Sequence, residues 1–138
     1  NVGAKNIVND KIFKMDDGSN CYVGPSALVN VDHSMEFMKE ETFGPTVGIM
    51  KVNNEHEAIQ LMNDSDYGLT ASVWTSDKEF AREMGSKIET GTFFMNRCDY
   101  LDPGLAWTGV KDTGIGVTLS VLGFDHLTRV KSYHIRTI

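Results

Sequence analysis

The stretch TVGIMKVNNEHEAIQLMNDSDYGLTASVWTSDKEFAREMGSKIETGTFFMN, residues 46 to 96, alternates two kinds of segment and so decides the fold class. TVGIMKV (46–52), LTASVWT (69–75) and TFFMN (92–96) are short, β-branched or aromatic, and largely apolar, the composition of strands covered on both faces. Between them lie two amphipathic stretches. In NEHEAIQLMNDS, Ala58, Leu61, Met62 and Ser65 recur at helical spacing, with Asn54 and Glu57 placed as a capping box. In SDKEFAREMGSKIE, Phe80, Ala81, Met84 and Ile88 line one face, and Ser76 with Glu79 repeats the same N-terminal signature. Strand, helix, strand, helix, strand predicts an α/β fold, a βαβαβ unit with parallel strands, because each strand is too far from the next for a hairpin. In such sheets ligands lie beyond the carboxyl ends of the strands, here Asn53, Thr75 and the NRCDYLD stretch after Met95.

On either side the pattern changes. CYVGPSALVNV (21–31) reads as a strand interrupted at Pro25, and HSMEFMKE (33–40) as a short helix. RVKSYHIRTI, residues 129–138, alternates as an additional C-terminal edge strand, with Val130, Ser132, His134 and Arg136 on one side and Lys131, Tyr133 and Ile135 on the other. Neither side is cleanly apolar. Such a strand suits an interface better than a core, so residues 1–128 are expected to form the main domain and 129–138 an oligomerisation strand.

The totals narrow the partners. With 13 basic against 19 acidic residues the formal net charge is −6, and neither sign gathers into a long run, so nucleic acid and anionic membranes are not expected partners. No apolar stretch has the length of a spanning helix. Cys21 and Cys98 lie far apart and in no C-x-x-C pair, which argues against a zinc site or a disulfide framework and for a soluble reducing compartment, cytoplasmic by default. The chain begins with Asn, which suggests processing or a piece of something longer.

Few residues carry a chemical signal alone. Glu40 and Glu41 could work as acid and base, but adjacent side chains on an extended backbone point opposite ways, so at most one serves a site; a solvated pair ending a short helix explains them equally well. Asp99 and Asp102 beside Cys98 disfavour the thiolate that a nucleophile needs. His33, His56, His126 and His134 show no metal-ligand spacing and read as surface residues. The glycines of TGIG (113–116) read as backbone geometry, and Trp107 in LAWTG either walls a pocket or fills the core.

Taken in order, EETFGP (40–45), TVGIMKV, YGLTASVWT, GTFFMN and LAWTGVKDTGIG resemble the C-terminal part of the NAD(P)-dependent aldehyde dehydrogenase superfamily, from about Val31 onward. The resemblance implies that Glu41, the glutamate of E-x-F-G-P, binds the hydroxyls of a nicotinamide ribose, and that Phe43 packs near the nicotinamide ring. It implies NAD or NADP as coenzyme. It also places Asn96, and the loop from there through Trp107, near the aldehyde pocket, and it makes 129–138 a strand of the subunit interface, hence a homo-oligomer.

Two departures stand out. The family's common S-G-x-G-R-E is TGIGVT here, without the Arg-Glu pair, and Val130 stands where many members have Pro. The family's nucleophilic cysteine, in F-x-N-x-G-Q-x-C, lies farther upstream of E-x-F-G-P than the residues before Glu41. The expectation is therefore the C-terminal part of an enzyme that oxidises an aldehyde to an acid through a cysteine thioester, inactive without its N-terminal part. The alternative is a stand-alone, non-catalytic binding or assembly module derived from such an enzyme.

Overall fold

The computed structural model describes residues 3–98 and 100–138. The chain divides into two compact units, Asn1–Leu61 and Met62–Ile138. In the first, β1 (Lys5–Asn6), β2 (Ser26–Val29) and β3 (Thr46–Ile49) form a sheet in that order. β1 runs antiparallel to β2, and β2 parallel to β3 with Ser26 opposite Thr46 and Val29 opposite Ile49. Both strands of the parallel pair start directly after a proline, Pro25 and Pro45. A proline has no N–H to give a ladder, so it can precede a strand but not lie within its paired interior. The first rung is the Ser26 N–H donating to the Pro45 carbonyl at 2.9 Å.

Between β2 and β3 the chain turns at Asp32. The hydroxyl and the backbone N–H of Ser34 both donate to its carboxylate, which holds that carboxyl below its usual range. The predicted helix over HSMEFMKE is a single 3-10 turn, Glu36–Met38. It lays Phe37 and Met38 against Gly48 of β3, where any Cβ would collide with the Met38 sulfur. Val31 and Met35 are the buried apolar residues of this unit.

α1 (Glu55–Asn63) begins as its sequence predicts. Asn54 Oδ1 accepts from the Glu57 N–H at 2.9 Å. The Glu57 carboxylate reaches back to the backbone N–H and the amide of Asn53, at 2.7 and 2.9 Å, one residue earlier than an ideal box.

The second unit contains β4 (Tyr67–Gly68), β5 (Thr70–Val73), α2 (Lys78–Lys87), β6 (Thr92–Met95), β7 (Val110–Lys111) and α3 (Leu122–Leu127). β5, α2 and β6 form a parallel β–α–β motif, with Thr70 opposite Thr92 and Val73 opposite Met95. β4 pairs antiparallel with β7. The apolar face predicted for α2 is the one that packs: Ala81, Met84 and the following Ile88 are buried, and Gly85 leaves room for the Phe93 ring.

The cap predicted at Ser76 is corrected by one residue. Asp77 caps α2, its Oδ1 accepting from the N–H groups of Glu79 and Phe80 at 3.0 Å each. A carboxylate also complements the positive end of the helix, which a hydroxyl does not. Asp77→Ala should cost about 1 kcal/mol of stability, seen as a lower denaturation midpoint, whereas Ser76→Ala should leave the midpoint in place.

The α/β reading holds, with two parallel pairings, β2 with β3 and β5 with β6. Among the described residues, one face of β3 stays uncovered. Val47 and Ile49 on the outer face of β3 are 55% and 49% exposed. The chain exposes 11195 Å², whereas even two separate globules of half its mass would expose roughly 8,600 Å². Residues 129–138 are exposed throughout and join no ladder among the described residues, since an edge strand needs a neighbour. No helix among the described residues is long and apolar enough to cross a membrane.

Candidate functional site

In the first unit, EETFGP is held at both ends and open in the middle. The Lys39 N–H closes the 3-10 turn on the Glu36 carbonyl at 2.9 Å, and the Glu40 N–H donates to the same carbonyl at 2.8 Å. At the other end the Thr46 N–H donates to Gly44 O at 2.8 Å, next to the Pro45 carbonyl that starts the ladder. Glu41, Thr42 and Phe43 project from the span between. Glu41 is exposed, and the Phe43 ring is 96% exposed. A ring so fully hydrated is unfavourable in a finished surface, and it is the natural residue of a contact made by something else.

Of the sites expected at the strand ends, Asn53 is engaged by Glu57 as described, and Thr75 is engaged by Asn96. Thr75 N–H donates to Asn96 Oδ1 at 2.9 Å, and Asn96 Nδ2 donates to the Thr75 carbonyl at 2.7 Å. Asn63 uses its amide in the same way, donating to Lys87 O at 2.8 Å and accepting from the Glu89 N–H at 2.9 Å.

Trp107 is half-buried and forms an antiparallel bridge with Thr118, by N–H to carbonyl bonds of 2.8 and 2.9 Å. The turn between them contains Gly114 and Gly116, both at positive φ, and is tied by the Thr108 hydroxyl donating to Gly116 O at 2.7 Å. Trp107, Leu69, Ile115, Val117, His126 and Leu127 border a concavity of ≈ 460 Å³. Asn96 does not line it, so these contacts do not bring Asn96 and Trp107 to one cavity.

His126 is exposed, as the sequence reading has it, and lines that concavity. One residue escaped the sequence reading. Lys111 donates its Nζ to the carbonyls of Asn63 and Ser65, at 2.8 and 2.9 Å, and pairs with Glu89 at 2.7 Å. This anchors the last carbonyl of α1 to the 112–116 turn, and no local spacing rule could have revealed it. Cys21 and Cys98 are both exposed free thiols. Among the described residues no group of three or more His, Cys, Asp or Glu side chains gathers to hold a metal ion.

The sequence profile of the "Aldehyde dehydrogenase family" matches residues 1–133. An aldehyde dehydrogenase of Paenarthrobacter nicotinovorans is 38% identical over 116 residues, covering 84% of this chain and 25% of that protein. The crystal structure of a Mycobacterium tuberculosis aldehyde dehydrogenase complexed with NAD+ superposes with a TM-score of 0.80 at 32% identity, covering 92% of this chain and 26% of that one. A Staphylococcus aureus betaine aldehyde dehydrogenase in complex with NAD+ gives 0.78 at 33% identity, over 90% of this chain and 25% of that one. The chain spans about a quarter of the length of these relatives. With the family profile matching residues 1–133 and its fold superposing on theirs, this chain belongs to the aldehyde dehydrogenase family.

Proposed function

We propose that this chain is the C-terminal part of an NAD(P)-dependent aldehyde dehydrogenase, contributing a coenzyme contact, part of the aldehyde pocket and an interface strand. The observation that carries this reading is the uncovered apolar surface around a family motif: Phe43, Val47 and Ile49 face solvent, and this chain spans only about a quarter of a related enzyme's length. Residues 1–128 then form part of the catalytic domain. Residues 129–138 find their neighbouring strand in another subunit or in the missing N-terminal part.

The residues present suit a nicotinamide coenzyme. Glu41 offers an exposed carboxylate whose two oxygens can accept from two vicinal ribose hydroxyls, and Phe43 offers an exposed ring face and edge. When bound, the coenzyme supplies the acceptor for the hydride leaving the aldehyde. Glu41 and Phe43 bind and orient it, limiting where the accepting carbon can lie. Asn96 and Trp107 belong to the segment that walls the aldehyde.

In the complete enzyme, Glu41→Gln should lower kcat more than it weakens coenzyme binding. The amide keeps one acceptor, so only part of the roughly 1.5 to 3 kcal/mol of a charge-assisted bond is lost. Hydride transfer is less forgiving, since about 1 Å of displacement can cost roughly a hundredfold. The check is a slower hydride step with an increased isotope effect for deuterated aldehyde and a modest change in coenzyme Kd. Glu40→Gln should be nearly silent. A large effect at Glu40 with none at Glu41 would show the wrong carboxylate to have been chosen.

A further inference from the structure

We infer that Asn96 is a positioning residue, acting on the aldehyde pocket through the main chain of Thr75 and not by touching substrate. The kinetic part of this inference rests on the proposed enzyme reading; the structural part does not. β5 and β6 run in parallel as far as Val73 and Met95, and the last main-chain rung is the Asn96 N–H donating to the Val73 carbonyl at 2.8 Å. At Asn96 the backbone then swings into the left-handed region, φ 56°, and leaves its neighbour. Thr75 would lose its partner there. The Asn96 side chain replaces it, accepting from the Thr75 N–H and donating to the Thr75 carbonyl, a peptide group in all but name.

Asparagine suits both tasks. Its amide carries the donor and acceptor of a peptide, and it tolerates left-handed backbone better than other residues with a Cβ. Aspartate keeps the acceptor but has no donor for the Thr75 carbonyl, and glycine keeps the backbone freedom with neither. Thr75 is in turn the hinge into α2, its hydroxyl accepting from the N–H of Asp77, the cap residue. One side chain therefore locks the exit of β6, from which residues 97–107 depart, to the entry of α2. The amide is committed to main chain on both atoms, and that arrangement fits a brace better than a substrate ligand.

Hydrogen exchange at Thr75 and steady-state kinetics, both in the complete protein that carries this chain, decide the matter. Asn96→Gly keeps the left-handed backbone and removes the amide; exchange of the Thr75 N–H should accelerate by roughly tenfold or more, because its acceptor is gone. Asn96→Asp retains that acceptor and should keep Thr75 protected. In kinetics, Asn96→Gly should depress kcat for small, long and aromatic aldehydes by one common factor, up to about a hundredfold, with KM little moved. Unchanged Thr75 exchange in Asn96→Gly, or lost protection in Asn96→Asp, overturns the brace. Losses that differ strongly from one aldehyde to another overturn it in favour of direct contact. A wild-type protein without aldehyde activity would sink the enzyme reading alone, and the exchange result would still decide the role of Asn96.

Discussion

Purified by itself, the 138-residue chain should reduce neither NAD+ nor NADP+ with any aldehyde, at a rate at least on the order of a millionfold below that of a complete enzyme. Thioester chemistry needs a thiolate held about 3 to 3.5 Å from the carbonyl carbon, with donors aimed at the developing oxyanion. Cys21 and Cys98 are both exposed free thiols. The cation adjacent to Cys98, the Arg97 guanidinium, lies over the Tyr100 ring at 3.8 Å. The assay is NAD(P)H absorbance with a panel of short, long and aromatic aldehydes. Turnover that vanishes in Cys98→Ser would overturn both the fragment reading and the dismissal of that thiol.

Gly91→Ala should be nearly as severe for folding. A Cβ on Gly91 would land on the main-chain carbonyl of Thr108, and neither backbone can yield without dragging its strand. Gly91 directly precedes β6 and donates its N–H to Gly68 O at 3.1 Å, while Thr108 leads into β7, so the clash separates the β–α–β motif from the Trp107 turn. Overpacking against side chains costs about 1 to 3 kcal/mol, and against fixed backbone the loss should reach about 4 kcal/mol or more. Gly104→Ala is the control, since only a side-chain carboxylate oxygen, that of Asp102, lies near. A denaturation midpoint of Gly91→Ala within about 1 kcal/mol of the parent would show that the two backbones do not meet as described.

The parts legible in the sequence were those with a short-range rule. The apolar face of α2 follows from the spacing of Ala81, Met84 and Ile88, and the start of α1 from Asn54 and Glu57. The cap of α2 slipped by one residue because Ser76, with Glu79 three residues on, fits the capping-box pattern and Asp77, with Phe80 there, does not, and only geometry tells which carboxylate or hydroxyl reaches the free N–H groups. The contacts of Lys111 with Asn63 and Ser65, and of Asn96 with Thr75, join residues far apart in sequence and leave no periodic trace. Composition did announce that β3 belongs in an interior, but composition cannot say whose side chains complete it. Glu41 and Phe43 were reached through family resemblance, and the structure adds their anchored ends and exposed side chains.

Each parallel pairing closes over a single intervening stretch, and that has a consequence for the order of assembly. Strands β5 and β6 meet with α2 as the whole of the excursion between them, and the Asn63 and Asn96 amides seal the two ends of that motif. Loop-closure entropy rises only slowly with length, and local contacts fold fastest, so this motif can form before any distant segment has been found. It presents the Thr75 hinge and the exit of β6 as a ready-made nucleus. The hydrated faces of Phe43, Val47 and Ile49 take no part in that nucleus, so a burial they gained later would be a separate and slower step.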